Sequence, residues 1–152
     1  MTCDALTGLL PVDVSGPDDT VAAGRAIGRL LKPGDVLTMR GDLGAGKTTL
    51  VRGIVAGLGG NPDVVTSPTF AIVQTYSTAG APVHHVDAFR IESVDELDEF
   101  GFDEYFGGDA IVLVEWPERV AERLPADTCD LELEHREVGR RISAVRAPDP
   151  VR

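Results

Sequence analysis

The sequence predicts a single α/β domain, and three features of the chain point there. Apolar runs of strand length alternate with stretches of helical spacing. A glycine-rich segment, residues 41–48, sits between one such run and one such helix. Residues 110–114 are continuously apolar, as in a strand covered on both faces. At 152 residues, 43% of them hydrophobic, the chain can bury an ordinary core without staples.

The elements follow in order. Residues 4–14, with Pro11, read as an irregular or edge strand, because proline donates no ladder hydrogen bond. Residues 15–19 supply turn and cap chemistry for a helix in which Val21, Ala22, Ile27, Leu30 and Leu31 face the core. Lys32-Pro33-Gly34-Asp35 stops that helix, and residues 36–39 form a strand running into the glycine-rich segment. A helix over 48–58 is ended by Gly59-Gly60-Asn61-Pro62. Strands are expected over 70–76 and 83–86, then an acidic helix over 94–100 stopped by Gly101. The buried strand at 110–114 precedes a helix over 117–124 with proline in its first turn. The tail pairs 129–135 with 141–146 as an antiparallel hairpin. No repeat or long linker divides the chain, so residues 1–152 are expected as one domain. Its sheet is expected to be mostly parallel in the centre, with helices on both faces.

Charge narrows the function classes. The net charge is −11, and only Lys32 and Lys47 are lysines among scattered arginines. A protein that grips nucleic acid directly shows a basic footprint, which this chain lacks. The acidity reads as solubility or as a face for a basic protein partner. No apolar run approaches the roughly 18 residues of a membrane span, and residues 1–10 lack a basic signal-peptide start. A cytoplasmic protein is expected, with no membrane partner. Cys3 and Cys129 make neither a framework nor a CxxC pair and are expected as reduced thiols.

Gly41-Asp42-Leu43-Gly44-Ala45-Gly46-Lys47-Thr48 satisfies GxxxxGK[ST]. Glycine lets a strand end in a loop whose amides turn inward and whose backbone approaches a phosphate closely. Lys47 supplies a cation for the β- and γ-phosphates, Thr48 a hydroxyl for Mg²⁺, and the next helix its positive end. The fold class is therefore a P-loop NTPase. The expected nucleotide-binding residues are Asp42, Leu43, Gly44, Ala45, Gly46, Lys47, Thr48 and Thr49. The chain contains no NKxD-type motif, which favours ATP over GTP.

A P-loop needs an acidic partner for Mg²⁺, usually at the end of a neighbouring buried strand. Glu115, directly after the apolar run, fits; a capping role before Pro117 is the structural alternative. Asp87 is a second strand-end carboxylate, able to reach the site only if its strand lies beside that of the loop. His84 and His85 point to opposite faces and read as packing or hydrogen-bonding residues rather than zinc ligands. Arg90 serves either an ion pair or a phosphate. Thr66-Ser67-Pro68-Thr69 reads equally as a nucleotide-sensing switch or as turn chemistry. Trp116 either reports on nucleotide or packs beneath the strand end.

Four pieces in order resemble the TsaE (YjeE) family of bacterial P-loop ATPases: GDLGAGKTTLVRG at 41–53, SPTF at 67–70, HVDAFRI at 85–91 and VEWPE at 114–118. The likeness covers roughly residues 18–146, with Phe89 where that family usually has tyrosine. It implies a Mg²⁺-dependent ATPase, weak alone, that works with TsaD and TsaB. These partners attach threonylcarbamoyl to the adenosine beside the anticodon of certain tRNAs and would hold the tRNA themselves. It further implies that Thr48 and Glu115 hold Mg²⁺, Lys47 binds phosphates and Asp87 supports hydrolysis, which makes Asp87, Glu115 and Lys47 the catalytic set. A small-molecule kinase is the rival reading, although no arginine-rich lid segment lies between the P-loop helix and Glu115. A nucleotide-gated adaptor is a further one.

Overall fold

The computed structural model describes residues 2–42, 44–66 and 72–146. Among them, seven strands form one sheet: β1 (Val12–Val14), β2 (Val36–Arg40), β3 (Val73–Tyr76), β4 (Val83–Asp87), β5 (Ile111–Glu115), β6 (Cys129–His135) and β7 (Arg140–Arg146). The order across the sheet is β1-β7-β6-β2-β5-β4-β3. The central four, β6, β2, β5 and β4, run parallel. Antiparallel strands close both sides: β7 and β1 at one edge, β3 at the other. The expected mostly parallel sheet with a C-terminal hairpin is what forms.

Among the described residues four α-helices accompany it: α1 (Thr2–Leu6), α2 (Pro17–Leu30), α3 (Lys47–Gly57) and α4 (Asp95–Glu99). The two-residue period of the strands sorts their side chains between two cores. Leu37, Met39, Ile111, Leu113 and Leu131 pack with Leu6, Ile27, Leu50 and Ile54 of α1, α2 and α3. Val36, Val86, Val112 and Val114 face the other way, against Leu97 of α4, Phe102 and Val120. Helices thus cover both faces, and β5 is buried along its whole length.

α2 and α3 meet through glycines. A Cβ at Gly24 would stand 2.4 Å from the Leu50 carbonyl oxygen, and one at Gly28 2.4 Å from that of Ile54. From the other side, a Cβ at Gly53 would stand 2.3 Å from the Val21 oxygen, and one at Gly57 2.3 Å from that of Arg25. Any larger residue would push the helices apart. The spacing GxxxG in each helix lets the two backbones touch, which seats α3 against the sheet.

Several expectations are corrected. The segment 4–14 is helical at its start, and only Val12–Val14 pairs as an edge strand. Leu30 is 38% exposed, because Gly24, Ile27 and Gly28 take the buried stripe. The helix expected over 117–124 is two 3-10 turns, Pro117–Arg119 and Ala121–Arg123, interrupted where Val120 leaves helical geometry (φ −130°, ψ 16°). The strand expected from residue 70 begins at Val73, after Ile72 in the left-handed region at φ 65°. Residues 70 and 71 lie outside the described residues. Cys129, fully buried in β6, is disulfide-bonded rather than reduced. Spacing along the chain shows no such pairing when cysteines are few, since it depends on which elements meet in space.

Candidate functional site

The site is built where β2, β5 and β4 end together. β2 leaves the sheet at Arg40, and residues 41–46 carry the chain back to α3. Glycine is needed in this bend: Gly44 and Gly46 take φ values of 80° and 102°, and Gly46 caps α3 in the left-handed region. Gly41 adds a close approach, since a Cβ there would lie 2.8 Å from the Leu133 carbonyl oxygen. The Ala45 N–H donates to the Asp42 carbonyl at 3.0 Å, which tightens the turn. Asp42 and Gly44 are exposed, Ala45 is buried, and Thr48 and Thr49 are half-buried at the start of α3. Leu43 lies outside the described residues, as do Ser67, Pro68 and Thr69.

Lys47 is buried to 6% exposure. Its ammonium donates to the Gly41 carbonyl and stands 3.6 Å from the centre of the Trp116 ring. Burial lowers the Lys47 pKa below that of an ordinary lysine, while the charges of Glu115, Glu118, Asp87 and Asp42 oppose that shift. Trp116 holds this position from a left-handed backbone (φ 59°), and its other neighbour is Phe89, ring centres 5.0 Å apart. Bulky residues seldom adopt that conformation, and such outliers gather at functional sites.

Both candidate carboxylates are buried: Glu115 is 3% exposed and Asp87 4%. β5 lies directly beside β2, with Glu115 in register with Met39. β4 is not beside β2, as the sequence reading required for Asp87 to reach the site. It lies beyond β5, and there Asp87 is in register with Glu115, so the two acids share one end of the sheet. The Ala88 N–H donates to the Glu115 carbonyl at 3.0 Å and ties the two strand ends together. The Asp87 side chain accepts from the Phe89 N–H at 2.9 Å. Glu115 meets His85, Nε2 to Oε2, at 2.5 Å.

Two contacts escaped the sequence reading. Arg140, at the start of β7, donates from Nη2 to the Gly44 carbonyl at 2.9 Å, tethering the glycine-rich bend to the hairpin. Its buried Nε is without a hydrogen-bond partner among the described residues. The available signal was Gly139 at the hairpin turn, which sets the following residue at the strand start. His85 was expected as a hydrogen-bonding residue, but its link to Glu115 was not foreseen. Thr20 uses its hydroxyl on the Gly16 carbonyl at 3.1 Å, while its methyl lies against the bend at Gly46.

A parallel α/β sheet with a glycine-rich bend, a buried lysine and two strand-end carboxylates defines an α/β protein of P-loop sequence pattern. The chain belongs to the TsaE family: the profile described as "Threonylcarbamoyl adenosine biosynthesis protein TsaE" matches residues 14–142. It is 45% identical over 111 residues to the tRNA threonylcarbamoyladenosine biosynthesis protein TsaE of Bacillus subtilis, covering 73% of this chain and 68% of that one. The TsaE protein of Streptomyces coelicolor is 40% identical over 126 residues, covering 81% and 83%. The crystal structure of YdiB from Bacillus subtilis superposes with a TM-score of 0.71 at 32% identity, covering 91% of this chain and 86% of that one. The family role is in tRNA threonylcarbamoyladenosine biosynthesis. Among the described residues, no helix is long and apolar enough to cross a membrane.

Proposed function

We propose that the chain is a Mg²⁺-dependent ATPase that supports threonylcarbamoyl modification of tRNA in the cytoplasm, acting with TsaD and TsaB. The observation that carries this reading is that buried Lys47, at the end of the glycine-rich bend, feels the charges of Glu115 and Asp87, buried at the adjoining strand ends. Buried carboxylates are costly unless a cation or hydrogen bonds compensate them. Glu115 already meets His85 and Asp87 the Phe89 N–H, and a divalent ion beside Glu115 and Thr48 would add to that compensation through oxygen donors of the kind hard cations take.

In this reading the backbone of residues 42–46, with Lys47, Thr48 and Thr49, cradles the phosphates of ATP. The Lys47 ammonium turns from the Gly41 carbonyl and the Trp116 ring to the phosphates. Thr48 and Glu115 would hold Mg²⁺, which when bound screens the phosphate charge and polarises the phosphoryl group. Asp87, one strand further, orients the attacking water and takes its proton. The tRNA is held by the partners, consistent with a net charge of −11 on this chain. The test is to mix the purified protein with TsaD–TsaB and follow ATP hydrolysis. Stimulated, Mg²⁺-dependent turnover is expected. No turnover with or without partners, at ATP concentrations that saturate binding, would overturn the reading.

A further inference from the structure

β3, β4 and β5 carry a row of polar side chains on the face turned to α3. Gln74 is in register with His85, and His85 reaches Glu115 on the next strand. Tyr76 closes the row, its hydroxyl 2.9 Å from His85 Nδ1 and 2.9 Å from the Gln74 side-chain oxygen. His85 is 0% exposed and Tyr76 5%. Apolar residues of similar shape could replace such a buried set with little loss of stability. The hydroxyl and imidazole therefore need another reason to be there.

We propose that His85 and Tyr76 are positioning residues for Glu115, forming a buried relay that ties the orientation of its carboxylate to the backbone at Thr66. The inference rests on the reading of Glu115 as the magnesium carboxylate. An ionised carboxylate only accepts, so His85 Nε2–H donates to Glu115. With Nε2–H donating, a neutral ring would leave Nδ1 as an acceptor for the Tyr76 hydroxyl, 2.9 Å away. That hydroxyl also lies 3.3 Å from the Thr66 carbonyl oxygen. One phenolic proton thus faces His85, Gln74 and Thr66, and giving it to one withholds it from the others. Arg52 of α3 fixes the neighbouring carbonyl, donating from Nε to Val65 at 3.2 Å. A shift of the backbone at 65–66 therefore changes what Tyr76 offers His85, and with it how firmly Glu115 is held.

The experiment measures single-turnover ATP hydrolysis, Mg²⁺ half-saturation and ATP affinity in EDTA for Tyr76→Phe, His85→Gln, His85→Asn and Glu115→Gln. Tyr76→Phe keeps the ring and removes the hydroxyl. It is expected to slow turnover about fivefold and raise the Mg²⁺ requirement, with ATP affinity in EDTA unchanged and Tm modestly lowered because His85 Nδ1 loses its partner. A glutamine amide reaches where Nε2 stands, an asparagine amide only where Nδ1 stands. His85→Gln is therefore expected to retain more turnover than His85→Asn, and adding Tyr76→Phe to His85→Asn should cost nothing further. Should the His85 variants fail to fold, Tyr76→Phe alone decides. Turnover and Mg²⁺ dependence within twofold of the parent in Tyr76→Phe, with Glu115→Gln inactive, would overturn the relay and leave the site reading standing. Full activity in Glu115→Gln would overturn both.

Discussion

The glycine-rich bend is held between two regions built on opposite principles. On one side α2 and α3 touch backbone to backbone through Gly24, Gly28, Gly53 and Gly57, with no side chain between them. On the other, β3, β4 and β5 present Tyr76, His85 and Glu115, a buried row joined by hydrogen bonds. The first contact has one geometry, because carbonyl oxygens stand where any Cβ would go. The second has several, because a hydroxyl proton can be shared among acceptors in more than one way. In the proposed reading, the first would keep the phosphate cradle fixed while the second lets the carboxylate of Glu115 adjust.

The largest expected effect breaks the rigid side. Gly53→Val forces a branched side chain to within 2.3 Å of the Val21 oxygen, and overpacking there should cost about 3 kcal/mol of stability. Urea denaturation followed by circular dichroism measures it; a loss below about 1 kcal/mol would show that the helices part easily. Next comes the adjustable side. Glu115→Gln should leave the fold intact and slow Mg²⁺-dependent hydrolysis about 100-fold, equivalent to about 2.7 kcal/mol. Activity close to the parent's would remove Glu115 from the metal site.

Smaller effects probe the bend itself. Lys47→Ala should weaken ATP binding by about 2 kcal/mol, roughly thirtyfold, through loss of the phosphate cation. The indole of Trp116 lies 3.6 Å from the Lys47 ammonium, so its fluorescence should respond when nucleotide is added to the parent protein. A silent Trp116 in a titration where ATP binds by calorimetry would break that link. Arg140→Ala removes the bond to the Gly44 carbonyl and should lower ATP affinity about threefold. An unchanged affinity would make the tether dispensable for the cradle. Arg141→Ala, on the exposed edge pair with Asp13, should leave both Tm and ATP affinity where they were, serving as the control for charge alone.

What the chain determines without its fold is local chemistry. The bend at 41–48 is legible because glycines, lysine and threonine must follow one another closely to wrap a phosphate. Glu115 is legible because an apolar run ends in an acid, and the C-terminal hairpin because two alternating runs adjoin. Which strands become neighbours is another matter. Periodicity assigns side chains to a face, yet it leaves open that β5 separates β4 from β2, and so that Asp87 comes to Glu115 rather than to the strand of the bend. Arg140 reaches Gly44 across 96 positions of sequence, and His85 reaches Glu115 across 30. The glycines of α2 and α3 look merely helix-weakening until two backbones are seen in contact. Contacts of this kind arise only when the whole sheet and its helices pack together, because each depends on a pairing that no short stretch of chain encodes.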